Sequence, residues 1–214
     1  MGGRCRPTRK VFASAPAAHH NPRMEPITLT TDRLRLRTFV PEDADVVYAI
    51  CQDPAIRRWS VVPDPYTRQD AEFFLNRLVP DGWRDDTEYA FAVEPLAGGP
   101  LLAAVSLSSR GMGVWEVGYW LAGEHRGSGY MTETVRAVAH WAFTGLGCTR
   151  LLWRAEIGNA GSRAVAERVG FVLEGAQRAG LTNKGTLRDA WTGALLPSDF
   201  GLPSPLPYLP VREA

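Results

Sequence analysis

The chain has 214 residues, 45% hydrophobic and 22% charged, a globular balance that fits one domain and needs no disulfide or metal to support its core. Its three cysteines are few, far apart and without zinc-ligand spacing, which indicates a reducing, cytoplasmic compartment. The net charge is only +1, and no apolar run approaches the ~20 residues of a spanning helix, which argues against a membrane partner.

The two ends of the chain differ from its middle. Residues 1–24 contain no acid and five basic residues, Arg4, Arg6, Arg9, Lys10 and Arg23. Removing those five charges from the net +1 leaves the remainder at −4, which argues against nucleic-acid binding through a basic surface. This tail is either an Arg-rich targeting peptide or sequence upstream of a true start at Met24. Four prolines within residues 201–214 predict a second disordered tail over 202–214, so we expect one domain over 25–201.

The first half of the domain alternates strands with two helices. Residues 33–39 alternate apolar and charged side chains and predict a strand. Residues 41–53 and 67–79 predict helices, the second with Thr67 as its N-cap. Three strands are then expected over 88–94, 101–108 and 114–121, the last rich in aromatic and β-branched residues.

The second half adds two helices and three strands. Met131, Val135, Val138 and Ala142 form one helical face, in a helix that we expect to end at Gly145. Residues 150–157 predict a strand, 159–170 a helix closed by Gly170, and 171–180 with 187–196 a closing strand pair. The order βααβββαβαββ predicts an α/β (α+β) fold with a mixed sheet of about seven strands and parallel neighbours in its second half.

The segment EHRGSGYMTETV, residues 124–135, joins a buried strand to a long helix through Gly127 and Gly129. The two glycines indicate either an ordinary turn with positive φ or a site where backbone N–H groups and the helix N-terminus hold a phosphate, with Arg126 as a supporting or merely solvated charge. No Walker sequence is present. A dinucleotide-binding oxidoreductase is disfavoured because the third glycine is missing and residues 146–151 offer no acidic ribose ligand.

The runs EVGYWLAGEHRGSGYMTE and WRAEIGNAGSRAVAERVGFVLEG resemble the GNAT acyltransferases, most closely their RimJ/RimL-like branch, and the resemblance covers residues 27–200. It implies a strongly twisted GNAT sheet flanked by helices, with acetyl-CoA as cosubstrate. The family motifs are a Q/R-x-x-G-x-G/A turn and a downstream N-x-x-(A/S)…G-F segment, here ending at Gly170 and Phe171. The first position of the turn is Glu124 instead of Gln or Arg, which puts a side-chain phosphate contact there in doubt. The cofactor-binding residues that the resemblance implies are Val117, Gly118, Tyr119, Trp120, Leu121, Glu124, His125, Arg126, Gly127, Ser128, Gly129, Tyr130, Asn159 and Ser162.

Acetyl transfer to an amine requires a proton acceptor, an oxyanion donor and a stabilised leaving thiolate. Glu116 is the first candidate base because an acid in the middle of an apolar strand is out of place, although it could instead pair with an arginine of a neighbouring strand. Glu156 on the next strand is the alternative. The resemblance implies a backbone N–H of residues 117–120 as the oxyanion donor, and Gly118 suggests a bulge there.

Many GNAT enzymes use a tyrosine seven residues after the motif asparagine to protonate the thiolate, but Ala166 occupies that position here. Ser162 matches the serine of the RimJ/RimL-like branch and could hydrogen-bond the thiolate, or it could satisfy an N–H of its own helix turn. Asn159 is expected to cap that helix and, by resemblance, to contact the pantetheine arm.

The acceptor is expected to be a primary amine, on a protein N-terminus or a small molecule, that attacks directly in a ternary complex because no cysteine is placed to form an acyl-enzyme. Trp59 and Tyr66, in the segment 57–67, could line the acceptor site or simply pack. The four histidines, His19, His20, His125 and His140, have no metal or triad spacing, so no metal is expected. A catalytically silent CoA-binding module is the alternative function, and the chain is expected to be a monomer or a homodimer.

Overall fold

The computed structural model describes residues 24–210, so the predictions for residues 1–23 and 211–214 lie outside the described part of the chain. The described residues form eight strands, β1–β8: Leu29–Thr30, Leu34–Arg37, Glu88–Pro95, Ala103–Gly111, Val114–Leu121, Arg150–Glu156, Val172–Asn183 and Thr186–Leu195. They also form six α-helices, α1–α6: Ala44–Ile50, Pro54–Trp59, Arg68–Phe73, Val79–Arg84, Tyr130–Gly145 and Ala160–Val169. Short 3-10 helices cover Pro41–Asp43, Gly123–His125 and Pro197–Phe200, and a π-helical segment, Phe74–Leu78, joins α3 to α4.

The eight strands lie in one sheet, in the order β1-β2-β3-β4-β5-β6-β8-β7. Neighbouring strands are antiparallel except β5 and β6, so the predicted mixed sheet is confirmed. Parallel pairing in the second half is limited to that one pair. The second crossover, β6-α6-β7, brings β7 back in the direction of β6, but β8 inserts between them and pairs with both. The sheet therefore has a single parallel junction, and the candidate site lies at that junction.

Three elements differ from the predictions. Strand β1 has only two residues, which is too short to show alternation in the sequence. Helix α2, which takes in the first three residues of the segment 57–67, was not predicted; it forms because Pro54 occupies its first turn and the Asp53 carboxylate accepts the N–H of Ala55 at 2.7 Å. The helix predicted to end at residue 79 continues to Arg84. Pro80 has no N–H and clashes with the carbonyl four residues earlier, and the wider π turn directly before it takes up that misfit.

Aromatic side chains on one face of the sheet hold α5 against β3–β5. The ring of Tyr89 stacks on Trp115 at 5.1 Å and meets the edge of Trp141, from α5, at 5.4 Å. The predicted apolar face of α5 is confirmed, since Met131, Val135, Val138 and Ala142 are all buried. Burial of this face fixes the helix axis, and therefore fixes where its N-terminus meets the end of β5.

The predicted helix ends follow from local hydrogen bonds. Thr67 caps α3, its hydroxyl accepting the N–H of Asp70, and Asn159 caps α6. Gly170 closes α6 with φ of 111°, a left-handed conformation that favours glycine, and α5 ends at Gly145. All four predictions are confirmed.

Candidate active site

A gap opens between β5 and β6. The two strands pair at only three positions, the last being Glu116 opposite Leu152. Beyond that point β5 stays with β4 as far as Leu121, whereas β6 stays with β8. The parallel junction therefore splits into a cleft whose walls are the free edges of two strands.

Backbone groups of β5 point into this gap at alternate residues. The N–H of Ala122 bonds to the carbonyl of Leu102, on the β4 side, and N–H directions alternate along a strand. Tyr119 therefore directs its N–H into the gap, whereas Gly118 and Trp120 direct theirs toward β4. An oxyanion donor was expected among residues 117–120, and the N–H of Tyr119 is directed into the gap as such a donor must be.

The bulge predicted at Gly118 is wrong. The pairing of β4 with β5 runs without interruption from Ser108 opposite Glu116 to Ala103 opposite Leu121. The register shift of this strand pair lies between Ser109 and Gly111 instead. The gap is made by the departure of β6 and not by a distortion of β5, so glycine at position 118 carried no information about it.

The gap separates two chemically different faces of the sheet. Side chains alternate along a strand, and Glu116 lies beside Leu152 in the parallel register. Glu116 therefore shares one face with Arg154 and Glu156. Tyr119 and Trp153 lie on the opposite face, where they meet α6. A group in the gap would have carboxylates on one side and hydroxyl and indole donors on the other.

Glu116 is held by two arginines. Its side chain is 13% exposed, and Arg154 of β6 donates to its carboxylate at 2.8 and 3.2 Å. Arg110 of β4 donates to the same carboxylate at 2.8 Å. Arg154 also donates to the carbonyl of Gly180 at 2.8 Å, so it is fixed from β7 as well. The pairing with a neighbouring-strand arginine, one of the two interpretations of Glu116, is present.

Glu156, the alternative base, is bound to helix α2. Arg58 donates to both of its carboxylate oxygens, at 2.7 and 2.8 Å. The Arg58 hydrogen bonds lower the pKa of Glu156 below its ordinary range, burial opposes them, and the charges of Arg58, Arg188 and Lys184 add to the lowering. A carboxylate with a lowered pKa is a weaker proton acceptor. Glu156 therefore ties β6 to α2 at the mouth of the gap.

The glycine loop follows β5 and opens helix α5. Gly127 and Gly129 have φ of 78° and 80°, in the left-handed region, and Gly129 is the N-cap of α5. Open space lies in front of Gly127, where a Cβ would meet no heavy atom within 4 Å. Glu124 and His125 precede the loop in a 3-10 turn, and the ring of His125 meets the edge of Tyr130 at 6.5 Å. The loop thus presents backbone N–H groups and a helix N-terminus to open space.

Arg33 braces this loop from the far end of the sheet and was not predicted. Its guanidinium donates to the carbonyl of Ser128 at 3.1 Å and lies 4.7 Å from the ring centroid of Tyr130. It also pairs with Glu133, in the first turn of α5, at 2.6 Å. Burial raises the pKa of Glu133, but hydrogen bonds from Thr31 and Arg33 outweigh it and lower the pKa overall. No local signal marks Arg33, because its partners lie about 100 residues away.

Arg126, the candidate phosphate contact of the loop, is paired within the protein. It donates to the carboxylate of Asp53 at 2.6 Å and to the carbonyl of Leu121 at 3.3 Å. Asp53 is also the N-cap of α2. One carboxylate thus links the glycine loop to the helix that lies beside Glu156, and 44% of the Arg126 side chain remains exposed.

The serine of α6 contacts both strands of the gap, and the asparagine that caps the helix bonds to that serine. Asn159 accepts the N–H of Ser162 at 3.1 Å. The Ser162 hydroxyl lies 3.0 Å from the indole nitrogen of Trp153 and 3.1 Å from the hydroxyl of Tyr119. It therefore faces β5 and β6 and not the first turn of its own helix. Ala166, where the usual tyrosine is missing, is buried at 1% exposure.

The two aromatic residues expected at the acceptor side separate. Trp59 is the last residue of α2, and the Arg58 guanidinium lies 4.1 Å from the centroid of its ring. The Cη2 atom of Trp59 would lie 3.4 Å from a Cβ added at Gly158. Trp59 thus borders the turn after β6. Tyr66 is a core residue, 6% exposed, and burial raises the pKa of its hydroxyl beside Cys51. The expectation that Tyr66 lines an acceptor surface is corrected, because its ring is enclosed.

The described residues contain neither a metal-binding cluster nor a membrane-spanning helix. Residues 24–210 contain no cluster of three or more His, Cys, Asp or Glu side chains with metal-binding geometry. Over the same residues, no helix has the length and apolar character to cross a membrane. Cys51 and Cys148 are buried as free thiols, and burial raises their pKa to about 12 and about 11, respectively. Neither thiol lies in the gap.

Comparisons with known proteins agree with this geometry. YdaF of Bacillus subtilis (strain 168), provisionally named a ribosomal N-acetyltransferase, is 29% identical over 175 residues, which are 79% of this chain and 94% of YdaF. Protein p20 of Bacillus licheniformis, named an uncharacterized N-acetyltransferase, is 27% identical over 176 residues, 81% of this chain and 98% of its own. Mycobacterium smegmatis RimJ, solved in complex with CoA-disulfide, has the same fold, with a TM-score of 0.72 at 20% identity over 82% of this chain and 91% of its own. The family model described as the acetyltransferase (GNAT) domain matches residues 33–172, well over half of the chain, and the protein therefore belongs to the GNAT N-acetyltransferases.

Proposed function

We propose that this protein transfers an acetyl group from acetyl-CoA to a primary amine of a protein N-terminus, by direct attack in a ternary complex. The observation that carries the proposal is the gap between β5 and β6. It begins at Glu116 and opens toward the glycine loop, and it has the Glu116 carboxylate on one face and the Ser162 hydroxyl on the other. Amine deprotonation and thiolate departure need such groups on opposite sides of the thioester.

The residues around the glycine loop fit the diphosphate of CoA. Positive φ at Gly127 and Gly129 brings backbone N–H groups to open space at the N-terminus of α5, where partial positive charge favours anions. Arg33 holds the Ser128 carbonyl away from that space. When bound there, acetyl-CoA supplies the acetyl group as an activated thioester. Asn159 follows β6 at the same open end of the gap, across from the glycine loop, and its amide contacts the pantetheine arm.

Within the gap, Tyr119 contributes its free backbone N–H to the thioester carbonyl. A donor fixed in a strand is already oriented, so it stabilises developing negative charge without reorganisation. Ser162 donates its hydroxyl to the departing sulfur. A serine is too weak an acid to lead full proton transfer to a thiolate, so its contribution is a charge-assisted hydrogen bond.

Glu116 receives the amine proton, directly or through a water molecule. Its carboxylate lies at the residue where the gap begins, on the face that also carries Glu156. Arg110 and Arg154 hold it in place, and proton acceptance requires that one of these contacts loosen. Glu156, with its lowered pKa and two bonds to Arg58, is the weaker candidate.

The acceptor enters through an opening on the face of Glu116, beside α2 and the turn that joins β7 to β8, which are bonded to each other. Lys184 of that turn donates to the carbonyls of Arg57 and Ser60 at the end of α2, at 2.5 and 3.1 Å. Trp59 and the Arg58–Glu156 pair border the same opening. A protein N-terminus is favoured over a small amine because the relatives include YdaF, whose provisional name is a ribosomal N-acetyltransferase.

The test measures CoA release from acetyl-CoA across a panel of peptides with ribosomal-protein N-termini and a panel of small amines. We expect turnover with at least one peptide and little with the small amines. Calorimetry of CoA binding is run in parallel. Binding without turnover on either panel would instead identify a catalytically silent CoA-binding module, and turnover confined to small amines would overturn the acceptor class.

A further inference from the structure

The Ser162 hydroxyl is surrounded by donors from two strands. The indole N–H of Trp153, on β6, donates to its Oγ at 3.0 Å. The Tyr119 hydroxyl, on β5, lies 3.1 Å from the Oγ and also 3.1 Å from the backbone carbonyl oxygen of Ser162. Asn159 accepts the backbone N–H of the same serine at 3.1 Å. Every nitrogen and oxygen atom of Ser162 has a partner in this arrangement.

Counting donors and acceptors leaves the hydroxyl proton of Ser162 two directions. A serine hydroxyl has one proton to donate and two lone pairs that accept. The Trp153 indole is a donor only, so it occupies one lone pair. The Ser162 carbonyl is an acceptor only, so the Tyr119 hydroxyl donates to it, whereas either oxygen can be the donor between Tyr119 and the Ser162 Oγ. When Tyr119 shares its proton with the Oγ, both lone pairs of the Oγ are occupied and the serine proton is free for an acceptor in the gap; in the opposite arrangement Ser162 donates to the Tyr119 oxygen.

Both donors are held in place by their surroundings. Trp153 is 1% exposed in the core. Tyr119 is partly buried in β5, and burial raises the pKa of its hydroxyl to about 12, while the hydrogen bonds with Ser162 and Trp153 oppose the rise. The groups that face this hydroxyl, Ser162 of α6 and Trp153 of β6, carry no charge. Tyr119 therefore keeps its proton, and remains a donor, across the neutral pH range.

We infer that Tyr119 and Trp153 are positioning residues that commit the Ser162 hydroxyl to the sulfur of the bound CoA. Two donors to one oxygen polarise its O–H bond and strengthen it as a donor, the more so in a partly buried site. The pair acts where the usual tyrosine is absent, since position 166 is a buried alanine that leaves no hydroxyl on that side of α6. The inference rests on the proposed function for CoA binding but does not depend on the acceptor.

The test titrates the thiol of bound CoA by the ultraviolet absorbance of its thiolate. A committed donor stabilises the thiolate, so the midpoint for CoA bound to the unaltered chain should lie about one pH unit below that of free CoA. Ser162→Ala should return the midpoint to the value for free CoA. Tyr119→Phe should return it part of the way, and adding Tyr119→Phe to Ser162→Ala should change nothing further. Tyr89→Phe is the matched control, because it removes a buried tyrosine hydroxyl that donates to Asp86 at 2.9 Å, away from the gap.

A midpoint that Tyr119→Phe leaves unchanged or lowers, or an equal change in the Ser162→Ala background, would overturn the inference, because a lowered midpoint means that Ser162 donates to Tyr119 in the unaltered chain. If Tyr119→Phe does not fold, a fluorinated tyrosine at position 119 keeps the shape and is the stronger donor. It should lower the midpoint further, but only when Ser162 is present. Failure of the proposed function has a different signature, a shifted thiol midpoint without acetylation of any amine.

Discussion

At the scale of single residues, the gap combines groups that are unremarkable by themselves. Glu116 is one of several ion-paired carboxylates on this sheet, and Glu94, which pairs with Arg35 and Arg37, is even more enclosed. What distinguishes Glu116 is its position at the residue where β5 and β6 part. That comparison allows a catalytic contribution to be separated from a structural one.

Glu116→Gln keeps the shape of the side chain and removes its charge. We expect kcat to fall by ~10²-fold, in the range for a lost general base, with CoA affinity almost unchanged. Glu94→Gln is the control, because it removes an equivalent two-arginine carboxylate and should lower thermal stability without changing kcat. Turnover of Glu116→Gln at the rate of the unaltered enzyme would reduce Glu116 to an ion-pair partner, with Glu156 or bulk water as the proton acceptor.

Gly127→Val tests the loop. A Cβ at Gly127 meets nothing within 4 Å in the free protein, so the added side chain occupies the open space in which we propose that CoA binds. We expect CoA to bind at least ~10-fold more weakly, about 1.4 kcal/mol, in calorimetry. Gly98→Val is the control, since Gly98 has a similar φ of 87° and equally open space but lies in the loop between β3 and β4. Equal CoA affinity in the two variants would contradict a phosphate role for the loop.

At the scale of elements, helix α2 joins three parts of the site. Its N-cap, Asp53, binds Arg126 of the glycine loop, and its Arg58 binds Glu156 at the end of β6. Its last carbonyls accept from Lys184 of the β7–β8 turn. A helix of six residues has little stability alone, so these contacts hold it in place.

The Arg58–Glu156 pair gives this docking a pH dependence. The pKa of Glu156 is lower in the folded protein than the ordinary value of 4.5, so the folded state binds fewer protons than the unfolded chain does. Its contribution to stability is therefore fully present above pH 4.5 and is lost as the pH falls through the lowered folded pKa. Glu156→Gln should remove that part of the acid-induced loss of melting temperature and leave stability at pH 7 slightly reduced. An unchanged acid profile would show that the pair contributes nothing.

At the scale of the whole molecule, the sheet brings together the elements that form the candidate site. Arg33 at the start of β2 reaches the loop after β5, and the β7–β8 turn returns to α2. The described residues after Gly201 include Leu202, which packs partly against the core, whereas Leu206, Tyr208 and Leu209 are exposed. The domain that does the chemistry is therefore expected to lie within residues 24–202.

A shortened chain of residues 24–202 should melt within a few degrees of the full chain and keep its CoA affinity. We expect this because residues 1–23 and 203–214 lack a periodic apolar pattern that could pack against the domain. Differential scanning calorimetry on the two chains checks this. A large fall in melting temperature would show that one of the removed segments packs on the domain.

Sequence alone determined the features that depend on neighbours along the chain. The caps at Thr67 and Asn159, the glycine conformations of the loop and the buried face of α5 are set by residues three or four positions apart. The family motifs lie in the same local segments, and for that reason the fold and the position of the loop could be predicted. The short strand β1 and helix α2 were missed because two and six residues carry too little periodicity.

Only the tertiary structure decided which distant groups meet. The insertion of β8 between β6 and β7, the two arginines on Glu116 and the contact of Arg33 with Ser128 depend on strand order and register. The meeting of Tyr119 with Ser162 spans 43 residues and requires β5 and α6 to pack on the same side of the gap. Local propensity does not predict such pairings, because they depend on how the whole sheet is buried. By its sequence context Tyr119 is an ordinary strand tyrosine, and only packing brings it into contact with the candidate catalytic serine.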